Sequence, residues 1–193
     1  MDGRFRFDLP LKTPVQVLLK TPEQLTGTRR LGAAMFPVNV GGRGPIDVGA
    51  LFVPNLPAGV PLPAAGSGRQ VVSVGDGLDL SLDPAHLKAA PGHVLMHLAA
   101  RRLPGARAAA LRLPAGERVV AVYALHPFGA TSDSPIGLRA PSTLAAGTAV
   151  KFRTMGELDG TLSEPVPGRA TGRHLATDLS AGITHLTYLV ISR

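Results

Sequence analysis

Apolar and polar residues alternate with period two along much of this chain, and that rhythm predicts strands. Phe5, Phe7 and Leu9 alternate with Arg4, Arg6 and Asp8, so the chain opens inside a strand, and the native gene is expected to continue upstream of Met1. Val15, Val17 and Leu19 repeat the pattern in TPVQVLLK. IDVGALFV (46–53) is almost continuously apolar, as suits a buried strand. RQVVSV (69–74) and LDLSLD (78–83) flank a Gly-Asp-Gly turn. In the second of these, Leu78, Leu80 and Leu82 face one way and Asp79, Ser81 and Asp83 the other. RVVAVYAL (118–125), TAVKFRTM (148–155) and HLTYLVIS (185–192) complete the strong candidates.

Gly, Pro, Asn and Asp punctuate these runs at intervals of about 8–15 residues, the spacing of an all-β sandwich. Such signals include PNLPAG, DSP, LDG and VPG. DPAHLKAA (83–90) allows a turn or two of helix with Asp83 as N-cap and Pro84 at N1, and TPEQLTG (21–27) allows the same with Thr21 and Pro22.

The segment HVLMHLAARR (93–102) carries two histidines four apart, which on a helix would suggest a metal grip. Apolar residues fall on every side of such a helix, whereas a strand sorts Val94, Met96, Leu98 and Ala100 onto one face. Val94 also stands where the zinc-protease motif needs Glu. His93 and His97 on one face of a strand remain metal candidates, with His126 or Asp79 as a third ligand, and no cofactor is expected.

The reading is an all-β, antiparallel β-sandwich fold with little helix, in two packed β-rich units. An N-terminal unit spans 1–63, a Gly/Ala/Ser-rich seam spans 64–76, and a sandwich spans 77–193. Its expected core includes Leu80, Leu82, Val94, Met96, Val120, Val122, Val150, Phe152, Leu186, Tyr188 and Val190.

Composition narrows function more than fold. Net charge is +7, carried by 16 Arg against 4 Lys. An anionic partner is one reading, and the codon bias of a GC-rich genome is the other. Arg29–Arg30 and Arg101–Arg102 are the adjacent pairs and the candidate anion contacts. With no Trp and 2 Tyr, the chain lacks the stacking platforms of nucleic-acid binders, and a polysaccharide module would want more of them too. No Cys is present, which removes disulfides and thiol chemistry, and no run of 18 apolar residues or signal-peptide core occurs.

Other constellations read as structure. Asp76, Asp79 and Asp83 miss the calcium-loop spacing. Ser132–Asp133–Ser134 with His126 lacks a nucleophile elbow, and Asp133 before Ser134–Pro135 reads as turn initiation. Glu157, Asp159 and Glu164 surround the Leu158–Asp159–Gly160 hairpin signal. Gly41–Gly42–Arg43–Gly44 lacks the Lys-Ser/Thr of a phosphate loop.

From Asp76 to Arg193 the chain carries GLDLSLDPAHL, SPIGLRAPSTLAAGT and AGITHLTYLVIS. These stretches resemble β-sandwich modules of large secreted or surface proteins of GC-rich bacteria, loosely similar to the ankyrin/netrin-receptor interaction sandwich. RGPIDVGALFVPNLPAGVPLP (43–63) resembles the segment after a carboxypeptidase-regulatory-like, transthyretin-type repeat. The chain departs from such modules at Leu162, where they carry an aromatic. The resemblance implies a non-enzymatic interaction or structural module of a bacterial extracellular or envelope protein, secreted or at the surface as part of a longer precursor. Its implied partners are a protein, neighbouring domains of the same polypeptide or an anionic envelope polysaccharide, without nucleic acid or a membrane span. Alternatives are a phage, capsid or secretion-apparatus subunit, a metal-dependent enzyme and a polysaccharide-binding module.

Overall fold

The computed structural model describes residues 15–21, 23–26, 29–40, 52–91, 94–105, 111, 113–178 and 180–193. The Phe5–Leu9 alternation, the 41–44 loop, most of IDVGALFV and His93 lie outside the described residues.

The described strands are β1 (Val15–Thr21), β2 (Gln24–Thr26), β3 (Arg29–Leu31), β4 (Ala34–Val40), β5 (Val60–Pro61), β6 (Gln70–Gly75), β7 (Leu78–Leu82), β8 (Leu87–Lys88) and β9 (His97–Arg102), then β10 (Val119–His126), β11 (Ala130–Pro141), β12 (Ala149–Thr154), β13 (Val166–Thr171), β14 (His174–Thr177), β15 (Ile183–Leu186) and β16 (Tyr188–Ser192). The chain is all-β, and every pairing among the described strands is antiparallel.

Twelve of these strands join one large sheet in the order β5-β9-β10-β16-β12-β13-β14-β11-β7-β6, with β8 and β15 both attached to β11. The sheet curls until its two ends nearly meet. A bulge in β11 between Thr131 and Ile136 lets its first half pair with β8 and β15 and its second half with β7 and β14. Such a bulge bends a strand and sharpens sheet curvature. The HLTYLVIS run is broken at Thr187 for the same purpose: β15 pairs with β11, while β16 runs between β10 and β12. Thr187 holds the corner by donating from Oγ1 to the Met155 carbonyl (2.8 Å) and accepting from Leu125 N (3.0 Å).

The near-closed barrel has a side-chain seam. β6 and β7 are joined by a hairpin in which Asp76 (φ 46°) and Gly77 (φ 76°) both lie in the left-handed region, as a type I′ turn requires. The Asp76 carboxylate reaches β9, accepting from Arg102 N (2.7 Å) and Arg101 Nη1 (3.3 Å). Arg101 Nε also donates to the Asn55 carbonyl (2.7 Å). Among the described residues no backbone ladder joins β6 to β9.

Two apolar layers follow. The interior gathers Leu80, Leu98, Tyr123, Phe152, Leu175 and Leu189 with their neighbours. Outside, Val122, Tyr188 and Val190 project from β10 and β16 against Ala33, Met35 and Phe128, so part of the outer face is covered by the N-terminal segment around β4. The Tyr188 hydroxyl donates to the Ala33 carbonyl (3.1 Å) and its ring meets Phe128 edge-on. The strands buried on both faces are the ones with near-continuous apolar sequence, VVAVYAL and YLVI.

Of the expected core, Leu80, Leu82, Val122, Val150, Phe152, Leu186, Tyr188 and Val190 are buried and Val120 is partly so. Val94 and Met96 are not: they are 76% and 63% exposed. The strand begins only at His97, and residues 94–96 run along the sheet margin, where the Met96 carbonyl accepts from Leu62 N (3.0 Å). The helix allowed over 21–27 is also corrected: Gln24–Thr26 is a strand paired with β3, and Glu23 turns its side chain to His126 instead of starting a helix. The turn expected at 83–90 forms as a single 3₁₀ turn, Pro84–His86, capped by the Asp83 side chain on Ala85 N. The DSP and VPG signals, expected as turns, lie within β11 and β13.

Candidate interaction surface

The charged side chains fall into internal anchors and one open face. The tightest anchor is Glu117, 9% exposed, at the end of the turn preceding β10. Its Oε1 accepts from Lys151 Nζ (2.8 Å) and Arg153 Nη2 (2.9 Å), and its Oε2 from Arg153 Nη1 (2.6 Å) and Ser192 Oγ (2.7 Å). Lys151 and Arg153 share a face because they are two apart on β12, and Ser192 stands directly opposite Lys151 on β16. The Arg153, Lys151 and Ser192 hydrogen bonds hold the Glu117 carboxyl at about 2, below its ordinary 4.5. A carboxylate bound by four donors is a structural anchor, with no lone pair left for proton transfer.

Glu23 is a second anchor, its side chain 3% exposed. It accepts from His126 Nδ1 (2.9 and 3.0 Å) and from Phe128 N (3.2 Å), tying the N-terminal segment to the end of β10. His126 therefore serves a carboxylate. His97 lies on the same outer face, since Ala99 pairs with His126 and His97 is two residues from Ala99. Among the described residues no group of three or more His, Asp or Glu side chains is placed to hold a metal ion. Asp133 pairs with Lys88 (3.0 Å) and His86 (2.6 Å), and these two bonds, Lys88 first, hold its carboxyl below the usual range. Ser132 Oγ is committed to the bulge, donating to the Ser134 carbonyl (2.6 Å) and accepting from Ser134 N (3.2 Å). Hence Ser132, Asp133 and His126 do not assemble.

Of the candidate anion contacts, Arg101 is bound to Asp76 and Asn55 in the seam, and Arg102 is exposed at the end of β9. Arg29 and Arg30 lie in β3, where Arg30 is half-buried and its carbonyl accepts from Leu56 N (2.6 Å).

The open face lies on the opposite wall of the barrel from β4. Ser73, Asp79, Arg139, Ala176, Arg169 and Ala149 are successive cross-strand partners on β6, β7, β11, β14, β13 and β12. Directly opposed residues leave a sheet on the same side, and none of the six is buried. Arg139 Nη2 lies 3.1 Å from His174 Nδ1, Ser73 Oγ donates to Asp79 (2.6 Å), and Arg169 Nη2 donates to Asp178 (3.3 Å). With 55% and 64% of their side chains exposed, Arg139 and Arg169 flank the small Ala176. The sequence reading missed both. Their signal was an exposed Arg between buried partners, Leu138 and Ala140 in one strand, Gly168 and Ala170 in the other.

No protein-family model and no curated protein matches this chain. No helix among the described residues is long and apolar enough to cross a membrane.

Proposed function

We propose that the chain is a non-catalytic interaction module of a bacterial extracellular or envelope protein, docking a protein or an anionic envelope polymer. One observation carries the reading: a curled sheet presents an exposed row from which Arg139 and Arg169 project, each more than half exposed and only loosely paired with Asp79 (4.0 Å) and Asp178 (3.3 Å), while the charges of Glu117 and Glu23 are held internally. Rigid presentation lowers the ordering cost of binding. The two-stranded ribbon of β1 and β4 packs on a near-barrel sheet that also takes in β5 and β6.

Arg139→Ala combined with Arg169→Ala tests the surface. Both side chains are more than half exposed, so the melting temperature should stay within about 2 °C. Capture of envelope components by the immobilised chain should fall sharply, and the residual binding should lose part of its salt dependence. Undiminished capture overturns the assignment of this face. Fractionation of the source cells tests the compartment: a soluble cytoplasmic pool as the main location overturns it.

A further inference from the structure

At the end of the barrel where β9 stops and β10 begins, a cleft of about 180 Å³ is lined by Arg102, Val120, Pro141, Ser142, Thr143 and Leu144. That is smaller than the roughly 300–1,000 Å³ of sites for drug-sized ligands, so it suits one small group. Arg102 is the cross-strand partner of Tyr123, so both side chains leave the sheet on its inner side. Tyr123 is fully buried, and among the described residues its hydroxyl has no hydrogen-bond partner. Burial pushes the Tyr123 phenol up, while the Arg102 charge pulls it down and the Asp76 charge pushes it up, placing both within electrostatic reach.

The charge balance at this rim favours an anion. Asp76 is bound by the Arg101 guanidinium and the Arg102 amide, which leaves two arginine charges against one carboxylate. The Arg102 guanidinium makes one long bond, Nη2 to the Val120 carbonyl at 3.5 Å. Its planar fork matches two oxygens of a carboxylate or phosphate. Ser142 and Thr143 also line the cleft; Ser142 Oγ accepts from Leu144 N (2.9 Å) and keeps its O–H to donate, and Val120, Pro141 and Leu144 supply an apolar wall.

We propose that the barrel mouth binds one oxyanion-bearing sugar residue, a uronate or a sugar phosphate, through Arg102 with Ser142 and Thr143. The site lies at the end of β11, beside the Arg139–Arg169 face, and goes beyond the docking role assigned to that face.

The chain has 2 Tyr and no Trp, so tyrosine emission is a direct probe. In the Tyr188→Phe background, Tyr123 is the only emitter. Glucuronate, glucose 6-phosphate and glucose are titrated, with calorimetry on the unmodified chain alongside. A saturable response to glucuronate assigns the oxyanion to a carboxylate, and one to glucose 6-phosphate assigns it to a phosphate; glucose should give none. Arg102→Ala keeps the backbone amide that bonds Asp76 and should weaken binding about tenfold or more. Should that variant fail to fold, Arg102→Lys keeps the charge without the fork and must still weaken binding. Lys88→Ala, at the opposite end of β11 from Pro141, should leave it unchanged, so the loss in the Arg102 variant is not a general effect of removing positive charge. No saturable response to either anion, an equal response to glucose, or unchanged affinity in the Arg102 variant overturns the proposal.

Discussion

Glu117 shows how much a single residue carries here. Its folded carboxyl sits at about 2 against an ordinary 4.5, so folding favours the deprotonated form. That stabilisation is complete above about pH 4.5 and is lost as pH falls toward 2. Glu117→Gln strands the Arg153 charge, 6% exposed, and should cost about 3 kcal/mol in urea unfolding at neutral pH. The deficit should shrink near pH 2, where the parent's carboxylate is itself protonated; an equal deficit at both pH values would sink the account. Histidines offer a contrast. His126→Ala leaves the buried Glu23 with one donor fewer and should cost about 2 kcal/mol. His93→Ala with His97→Ala should leave stability and partner binding nearly unchanged, within about 0.5 kcal/mol for stability. None of these roles was legible in the sequence. Glu117 reads as a turn residue in LPAGERV, and its partners lie 34, 36 and 75 positions away. Period-two patterning gives the face of a side chain but not its partner across the fold.

Among the elements, the strands that sequence exposes best are those with one wet face. LDLSLD and RQVVSV alternate cleanly, and both form as read. β13, Val166–Thr171, was hidden because VPG looks like a turn. Gly168 is there for a different reason: a Cβ at this position would run into the Ala176 carbonyl and the Phe152 ring. Gly168→Ala should therefore destabilise by about 2 kcal/mol or more, read from the denaturation midpoint, since a backbone carbonyl cannot step aside as a flexible side chain can. A midpoint equal to the parent's would mean that β13 and β14 sit further apart than described. The same blindness explains β11. DSP signalled a break in the chain, and the break is a bulge that keeps the strand going while redirecting it.

At the scale of the whole molecule, all-β character was legible from punctuation and alternation, but curling was not. Curvature comes from the bulge in β11, which DSP marks as a break without showing which way the strand turns, and from the corner at Thr187, which has no distinctive composition. The double burial of β10 and β16 was visible as apolar runs, without a sign of what would cover the outer side. The cover is Met35 and its neighbours, and Met35→Ala should cost about 2–4 kcal/mol by chemical denaturation. A loss below about 0.5 kcal/mol would mean that the ribbon lies on the barrel without supporting it.

Among the described residues the sheet is closed by one carboxylate, a latch where other barrels have a continuous weld. Opening should follow that line: amide protons of β6 and of the Ala99–Arg102 part of β9, which β5 does not reach, should exchange with solvent ahead of those in β10 and β16, which hold neighbours on both sides. Asp76→Ala would turn an occasional breath into a standing gap beside the interior, and the order in which the strands give up their protons would show it.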